Sequence, residues 1–258
     1  MNRMNRVFSR GKAFIPFITA GDPSLPITEK LVVELAEAGA DLIELGIPFS
    51  DPVAEGVVIQ QADYRALQGG ATTDQIFAMV KRVRQVCDVP LAFMTYINPV
   101  FTYGSERFMG NCREGGVDAV IVPDLPFEEK SELLPECRAN GVDLISLIAP
   151  TSKDRVQMIA REAMGFVYCV SSLGVTGVRQ ELGGEVEQII KLVKQVKDIP
   201  CAVGFGISTP RQAASMARIS DGVIVGSAIV KIVEQYGMDC IPHVSSYVRA
   251  MKKAISEL

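Results

Sequence analysis

Two glutamates eleven residues apart, Glu44 and Glu55, are the residues of this chain best placed to move protons. Glu44 interrupts the apolar run Leu42-Ile43-Glu44-Leu45-Gly46-Ile47. In a strand, alternate side chains point to opposite faces. Ile43, Leu45 and Ile47 then share one face, while Leu42, Glu44 and Gly46 share the other, with small Gly46 expected to leave space above Glu44. A carboxyl held among apolar side chains is desolvated, which disfavours its charged form and suits it to general acid or base work. The structural alternative is a buried Glu paired with Lys or Arg. No strand-like run of the chain supplies an inward basic residue, so catalysis is the better reading. Glu55 lies in the Pro- and Gly-broken segment that follows, where an acid is commonly just solvated. Its claim rests on a loop that starts directly above Glu44. Asp51 has the same address and could simply cap or brace that loop.

Other chemistries are poorly supplied. His243 is the only histidine, and the six cysteines are scattered without a C-x-x-C. That argues against His-based triads and zinc sites. It fits buried, reduced thiols in a cytoplasmic protein and no resident metal. Carboxylates, hydroxyls and backbone amides remain.

These side chains need a frame, and a loose internal repeat predicts one. "GADLIELGIP" (39–48) and "GVDLISLIAP" (141–150) match in frame, and "GVDAVIVPDLP" (116–126) follows with a small shift. Each reads as a helix-ending Gly, an Asp at strand entry, a β-branched run and a Pro stop. "DVPLAFMTYINP" and "DIPCAVGFGISTP" form a second pair. With "AFIPFITAGDP", "GFVYCVSSLG" and "DGVIVGSAIV" there are eight short apolar runs, starting near Ala13, Asp41, Pro90, Asp118, Asp143, Gly165, Cys201 and Asp221. Between them lie helix-period segments. Leu31, Leu35 and Ala38 share one face, as do Val186, Ile189, Ile190, Val193 and Val196. Strands without polar alternation are buried on both faces, which means a parallel sheet under helices. Eight such units in 258 residues predict a single (β/α)8 TIM barrel spanning residues 1–258, with extra short helices. A doubly wound open sheet is the runner-up, but no G-x-G-x-x-G follows the first strand.

Bulk properties narrow the partners. Hydrophobic residues make up 48% of the chain and charged residues 22%, and 26 basic against 30 acidic side chains leave a net charge of −4. No basic block marks a nucleic-acid surface. "AFIPFITAG" behind the basic start "MNRMNRVFSRGK" is too short and Pro-broken for a signal core, and no run is long enough to span a membrane.

A TIM barrel places its active site at the C-terminal strand ends, with phosphate often held after strands seven and eight. Those places read "GFGIS" (204–208) and "GSAIV" (226–230). Each is a Gly turn expected to open a helix whose amides favour an anion. "SSLGVTGVRQELGG" after strand six is longer than common βα loops; it suits closure over a ligand or an open surface loop equally. Tyr96 and Asn98 are expected to end strand three, Asp124 strand four, and Tyr168 to lie on strand six. Phe17 and Phe205 could wall a flat ring.

The run "LIELGIPFSDPVAEG" closely resembles the motif of the tryptophan synthase alpha subunit family. "FIPFITAGDP", "MTYINPVFTYG", "VDAVIVPDLPFEE", "SSLGVTGVR", "GFGIS" and "VGSAIVKIVE" resemble that family's blocks in order, over nearly the whole chain. The resemblance implies a TIM-barrel lyase of tryptophan biosynthesis, cleaving indole-3-glycerol phosphate to indole and glyceraldehyde 3-phosphate by a retro-aldol step. It implies no cofactor in this chain. It also implies a pyridoxal-phosphate beta subunit as partner, in an α2β2 heterotetramer that passes indole through a tunnel. Carried over residue by residue, Glu44 protonates the indole carbon and Glu55 holds the indole N–H. Tyr168 is an active-site tyrosine, Phe17 contacts the ring, and Tyr96 and Phe205 join the substrate site. Gly177, Gly206, Gly226 and Ser227 cradle phosphate, and Thr176 is the lid threonine that meets the loop acid.

Two departures from the family pattern stand out. The loop acid is usually Asp in a D-G-P context, but here the sequence is Glu55-Gly56-Val57. The lid reads Ser172-Leu173-Gly174, where polar or basic residues are frequent. Rival expectations are a stand-alone indole-releasing lyase, another sugar-phosphate barrel of isomerase or epimerase type, and a mainly allosteric partner subunit.

Overall fold

The computed structural model describes residues 3–170, 182–204 and 206–258. Strands β1 (Ala13–Thr19), β2 (Ile43–Gly46), β3 (Leu91–Met94) and β4 (Ala119–Ile121) are followed by β5 (Asp143–Ile148), β6 (Val167–Val170), β7 (Cys201–Gly204) and β8 (Gly222–Val225). Each starts within two residues of its predicted position. They pair in parallel in chain order, and β8 returns to β1 through Ala13 opposite Gly222, closing the barrel.

Helices α1 (Met4–Val7) and α2 (Leu25–Glu37) flank β1. Pairs of helices fill the next two crossovers: α3 (Val57–Gln68) with α4 (Thr73–Val83), then α5 (Ile97–Tyr103) with α6 (Ser105–Gly115). After β4, a 3-10 segment leads to α7 (Leu134–Asn140). Single helices α8 (Lys153–Glu162), α9 (Leu182–Lys194) and α10 (Pro210–Ile219) come next, with α11 (Ser227–Tyr236) and α12 (Ile241–Ser256) after β8.

The strand faces divide as their period requires. Ile43, Leu45 and Ile47 pack in one outer cluster with Leu31 and Leu35 of α2. Leu42 joins Ile15, Phe17, Ala92, Met94, Ile121, Tyr168 and Ile224 inside the barrel. Met4 and Val7 of α1 belong to the same inner cluster, so the basic start of the chain serves as a plug at the N-terminal strand ends. Arg3 and Arg6 fasten it to Asp88 at 2.5 and 2.7 Å.

The repeat acquires a physical meaning here. Gly39, Gly116 and Gly141 all have positive φ (104°, 75° and 67°), the left-handed turn that ends a helix at little cost only for Gly. Two residues later comes the strand-entry Asp. Asp41 accepts the Phe14 amide at 2.7 Å, and Asp118 accepts the Leu91 amide at 2.9 Å. Asp221 likewise accepts the Cys201 amide at 2.8 Å. Each latch ties the entry of an even strand to the entry of the odd strand before it. Each Asp also meets a cation: Lys252 for Asp41, Arg84 and Arg3 for Asp118, Lys194 for Asp221.

Candidate active site

Glu44 stands inside the barrel mouth, 1% exposed, directly opposite Phe17 in the β1–β2 register. Its Oε1 has no hydrogen-bond partner among the described residues. Burial, then the charge of Glu55, push its carboxyl well above the usual carboxylate range. The shift favours the protonated form, which suits the group to giving a proton.

Gly46, expected to leave space above Glu44, leaves none there. A Cβ at Gly46 would lie 2.6 Å from Phe17 Cζ, so the gap is already filled by that ring. Phe17 also borders Gly226 of the last β-to-α turn, where a Cβ would come within 3.4 Å of the ring. Tyr168, 5% exposed, uses the same device across the barrel, since a Cβ at Gly204 would collide with its hydroxyl. Each of the two rings is thus seated by a glycine on the strand next to its own, Gly46 of β2 for Phe17 and Gly204 of β7 for Tyr168. Gly46→Ala should cost about 1–3 kcal/mol by overpacking, read as a Tm several degrees lower. An unchanged melt would mean that the Phe17 ring has room to move.

The segment after β2 is pinned at its tip. The Ala54 amide donates to the Tyr96 hydroxyl at 3.1 Å, and Gln60 Nε2 donates to the Glu55 carbonyl at 2.8 Å. Glu55 is half-buried, and its charge raises the pKa of Glu44, Asp63, Tyr96 and Tyr168. Its carboxyl is thus within electrostatic reach of those groups, and burial pushes it up to about 7. The two glutamates of the opening motif are electrostatically coupled.

Other sequence expectations shift. Tyr96 is the N-cap residue of α5 and braces the acid loop, with its ring 5.4 Å from Phe49. Asn98 does not end strand three. β3 stops at Met94, and Asn98 lies exposed in the first turn of α5. Asp124 accepts the Ile97 amide at 2.9 Å and so orients that helix. Asp51 is exposed and accepts the Ser50 hydroxyl at 2.6 Å.

The two phosphate turns are unequal. Gly226 is the N-cap of α11 and offers no side chain, so the first-turn amides, beginning with Ser227, have no side-chain cap. After β7 the helix does not open at the Gly turn. It starts at Pro210, where Thr209 and Gln212 form a capping box and Gln212 Oε1 also accepts the Ser208 amide. Gly206 keeps the turn open, with a φ of +77° and no atom within 4 Å of where a Cβ would stand. Thr176, Gly177 and Phe205 lie outside the described residues, as does most of the long segment after β6.

Sequence reasoning missed Asp63. It sits on the packed face of α3 with Ile59, Ala62 and Ala66, and is 4% exposed. An Asp four residues after Ile59 in an apolar stripe was the available signal. Five of the six cysteines are buried, Cys87 is half-buried, and all are free thiols. Among the described residues, no group of three or more His, Cys, Asp or Glu could hold a metal ion, and no helix is long and apolar enough to cross a membrane.

Comparison with known proteins places this geometry in a family. The family model described as tryptophan synthase alpha chain matches residues 5–256. The chain belongs to the tryptophan synthase alpha chain family. The alpha chain of Lacticaseibacillus casei is 44% identical, with 99% of this chain and 96% of that one aligned. The crystal structure of the tryptophan synthase alpha subunit from Legionella pneumophila str. Paris superposes with a TM-score of 0.90 at 37% identity, covering 100% of both chains. A tryptophan synthase α2β2 complex from Pyrococcus furiosus contains a chain that superposes at a TM-score of 0.87 and 36% identity, covering 94% of this chain and 98% of that one. Membership in the tryptophan synthase alpha chain family makes the chain a carbon–carbon lyase of tryptophan biosynthesis. The likeness runs from α1 to α12 and so includes every strand that lines the mouth.

Proposed function

We propose that Glu44 and Glu55 together cleave indole-3-glycerol phosphate, Glu44 as the acid and Glu55 as the carboxylate that holds the ring N–H. The observation that carries this reading is a buried Glu44 opposite Phe17 in the strand register, whose Oε1 has no hydrogen-bond partner among the described residues and whose pKa is raised by burial and by the charge of Glu55 in the loop. Glu44 gives its proton to the indole carbon that bears the glycerol phosphate chain. The ring nitrogen becomes cationic, and Glu55 stabilises its N–H. Loss of the proton from the adjacent side-chain hydroxyl then forms the aldehyde carbonyl and breaks the carbon–carbon bond. The bonding pair returns to the ring, leaving indole and glyceraldehyde 3-phosphate. Glu44, by then ionised, takes that hydroxyl proton and closes the cycle.

The phosphate is anchored by the open amides at Gly226 and Ser227, which border Phe17 and so set the distance from anion to ring. Tyr168 and Phe17 wall the ring between them. In this reading the chain carries no cofactor of its own, and pyridoxal phosphate belongs to a beta subunit. An apolar rim around the acid loop suits such a partner. Val53 is 82% exposed, Val57 and Phe101 are exposed beside it in the chain and on α5, and α5 is the helix whose N-cap Tyr96 holds the loop. A beta subunit seated there would press on the loop that carries Glu55.

The test is indole release from indole-3-glycerol phosphate by the purified chain, alone and with a tryptophan synthase beta subunit. Release that rises strongly with the partner is expected. No release in either arm would overturn the lyase assignment.

A further inference from the structure

Three elements meet on one guanidinium beside the mouth, and the chemistry above uses none of the groups involved. Arg65 of α3 donates through Nε and Nη2 to the two carboxylate oxygens of Asp22, each at 2.9 Å. Through Nη1 it donates to Glu234 of α11, also at 2.9 Å. Asp22 follows the end of β1 and is buried, whereas Glu234 is exposed. The two limbs therefore differ in kind. A forked pair on a buried carboxylate is a fixed joint, because removing the cation would strand a charge away from water. An ion pair to an exposed Glu adds little stability by itself. Its worth lies in what it holds in register.

Both helices begin at the mouth. α3 starts at Val57, just after Glu55, and α11 starts at Ser227, whose amide belongs to the phosphate anchor. At about 1.5 Å per residue, Arg65 lies about 12 Å down α3 and Glu234 about 11 Å down α11. A bridge at nearly equal depth stops one helix sliding past the other. Nearer their starts, Ile59, Ala62 and Val230 share one apolar cluster with Phe17. Such contacts have no direction and do not fix a register. Just past α3, Ala71 meets the exit of β1 so closely that a Cβ on Gly21 would lie 2.7 Å from its own. The β1 exit and α3 are thus joined twice. Among the described residues, Arg65–Glu234 is the only ion pair that ties α11 to that block.

We propose that Arg65 is a positioning residue of the lyase site: by bridging Asp22 and Glu234 it fixes the distance between Glu55 at the head of α3 and the phosphate amides at the head of α11. The substrate spans both, with its indole N–H at one end and its phosphate at the other, so its binding reads that distance. The proposal rests on the roles given above to Glu55 and to the Gly226–Ser227 turn.

Glu234→Gln cuts the α11 limb alone and, at an exposed position, leaves the fold intact. Arg65→Lys keeps a charge for Asp22 but cannot bridge two acids as the planar fork does. With the intact chain and its beta subunit, kcat/KM for indole release is expected to fall about threefold in Glu234→Gln and about tenfold in Arg65→Lys. The double variant should be no slower than Arg65→Lys, since both changes break one bridge. Binding of a non-cleavable indole-3-alkyl phosphate should weaken in parallel. Glycerol 3-phosphate occupies the phosphate end alone, and its affinity should stay within about twofold. If Arg65→Lys fails to fold, the two affinities in Glu234→Gln decide the matter. Unchanged rates and affinities in Glu234→Gln, or glycerol 3-phosphate binding that weakens as much as that of the longer ligand, would make Arg65 a local support and overturn the proposal. A parent chain that binds the indole phosphate but releases no indole would overturn the lyase reading instead, with the brace still decided by the two affinities.

Discussion

Glu44→Gln is expected to lower kcat for indole release by about a thousandfold or more, within the range that a positioned general acid supplies. Binding of glycerol 3-phosphate should stay within about twofold, because the phosphate anchor at Gly226 and Ser227 is separate from the acid. The amide keeps the shape of the carboxyl but has no acidic proton to give the ring. Structure also argues that the variant folds. Glu44 makes no ion pair among the described residues, and one of its oxygens has no hydrogen-bond partner, so no buried partner charge is orphaned by the change. A melt close to the parent's is the control. Turnover that survives, or glycerol phosphate binding that disappears with it, would remove Glu44 from the acid's role.

The second large effect concerns the length of the loop acid. Glu55→Gln should cut kcat/KM about a hundredfold by removing the charge that meets the ring cation. Glu55→Asp, which restores the residue the family usually carries, should also lose rate here. The loop is fixed on either side of the side chain by the Ala54–Tyr96 and Gln60–Glu55 hydrogen bonds. A shorter acid therefore withdraws its carboxylate from the mouth, and a displacement of ~1 Å can cost about a hundredfold. An Asp variant faster than the parent would show that the mouth is not fitted to Glu. The pH profile carries the same information. Glu55 is pushed up to about 7 by burial and acts ionised, so activity must fall as the pH drops through that value. In Glu55→Gln this acidic limb should disappear, leaving a low, flat rate over the same range.

Much of this was legible because periodicity reports which face of an element a residue occupies. The eight strand starts, the inward Glu44 and the outward Ile43, Leu45 and Ile47 all follow from a period of two with buried flanks. Periodicity is silent about what crosses from a neighbouring strand. Gly46 looked like open space, but the Phe17 ring from β1 fills it. Tyr168 on β6 depends on Gly204 of β7 in the same way. Helix starts were similarly ambiguous, since two Gly turns read alike although only α11 keeps its N-terminus free of a side-chain cap. Tyr96 was read as a substrate contact, and spacing gave no sign that its hydroxyl accepts from the backbone of the acid loop. Asp63 shows the converse failure: spacing puts it in the apolar stripe of α3, but a carboxyl is ordinarily solvated, so its type hid the burial that its position implied.

The strand-entry aspartates bear on how such a barrel comes together. The latches from Asp41 to Phe14, Asp118 to Leu91 and Asp221 to Cys201 span 27, 27 and 20 residues. Closing a short loop costs less chain entropy than closing a long one, and contacts near in sequence favour fast folding. The β1–β2, β3–β4 and β7–β8 pairs can therefore seal as local units, each with its own helix or helix pair and its own hydrogen-bonded entry. The contact between β8 and β1 joins opposite ends of the chain and must wait for the rest. During synthesis the first two sealed pairs are complete before the chain that forms β8 exists, so ring closure is the late, slow event of assembly.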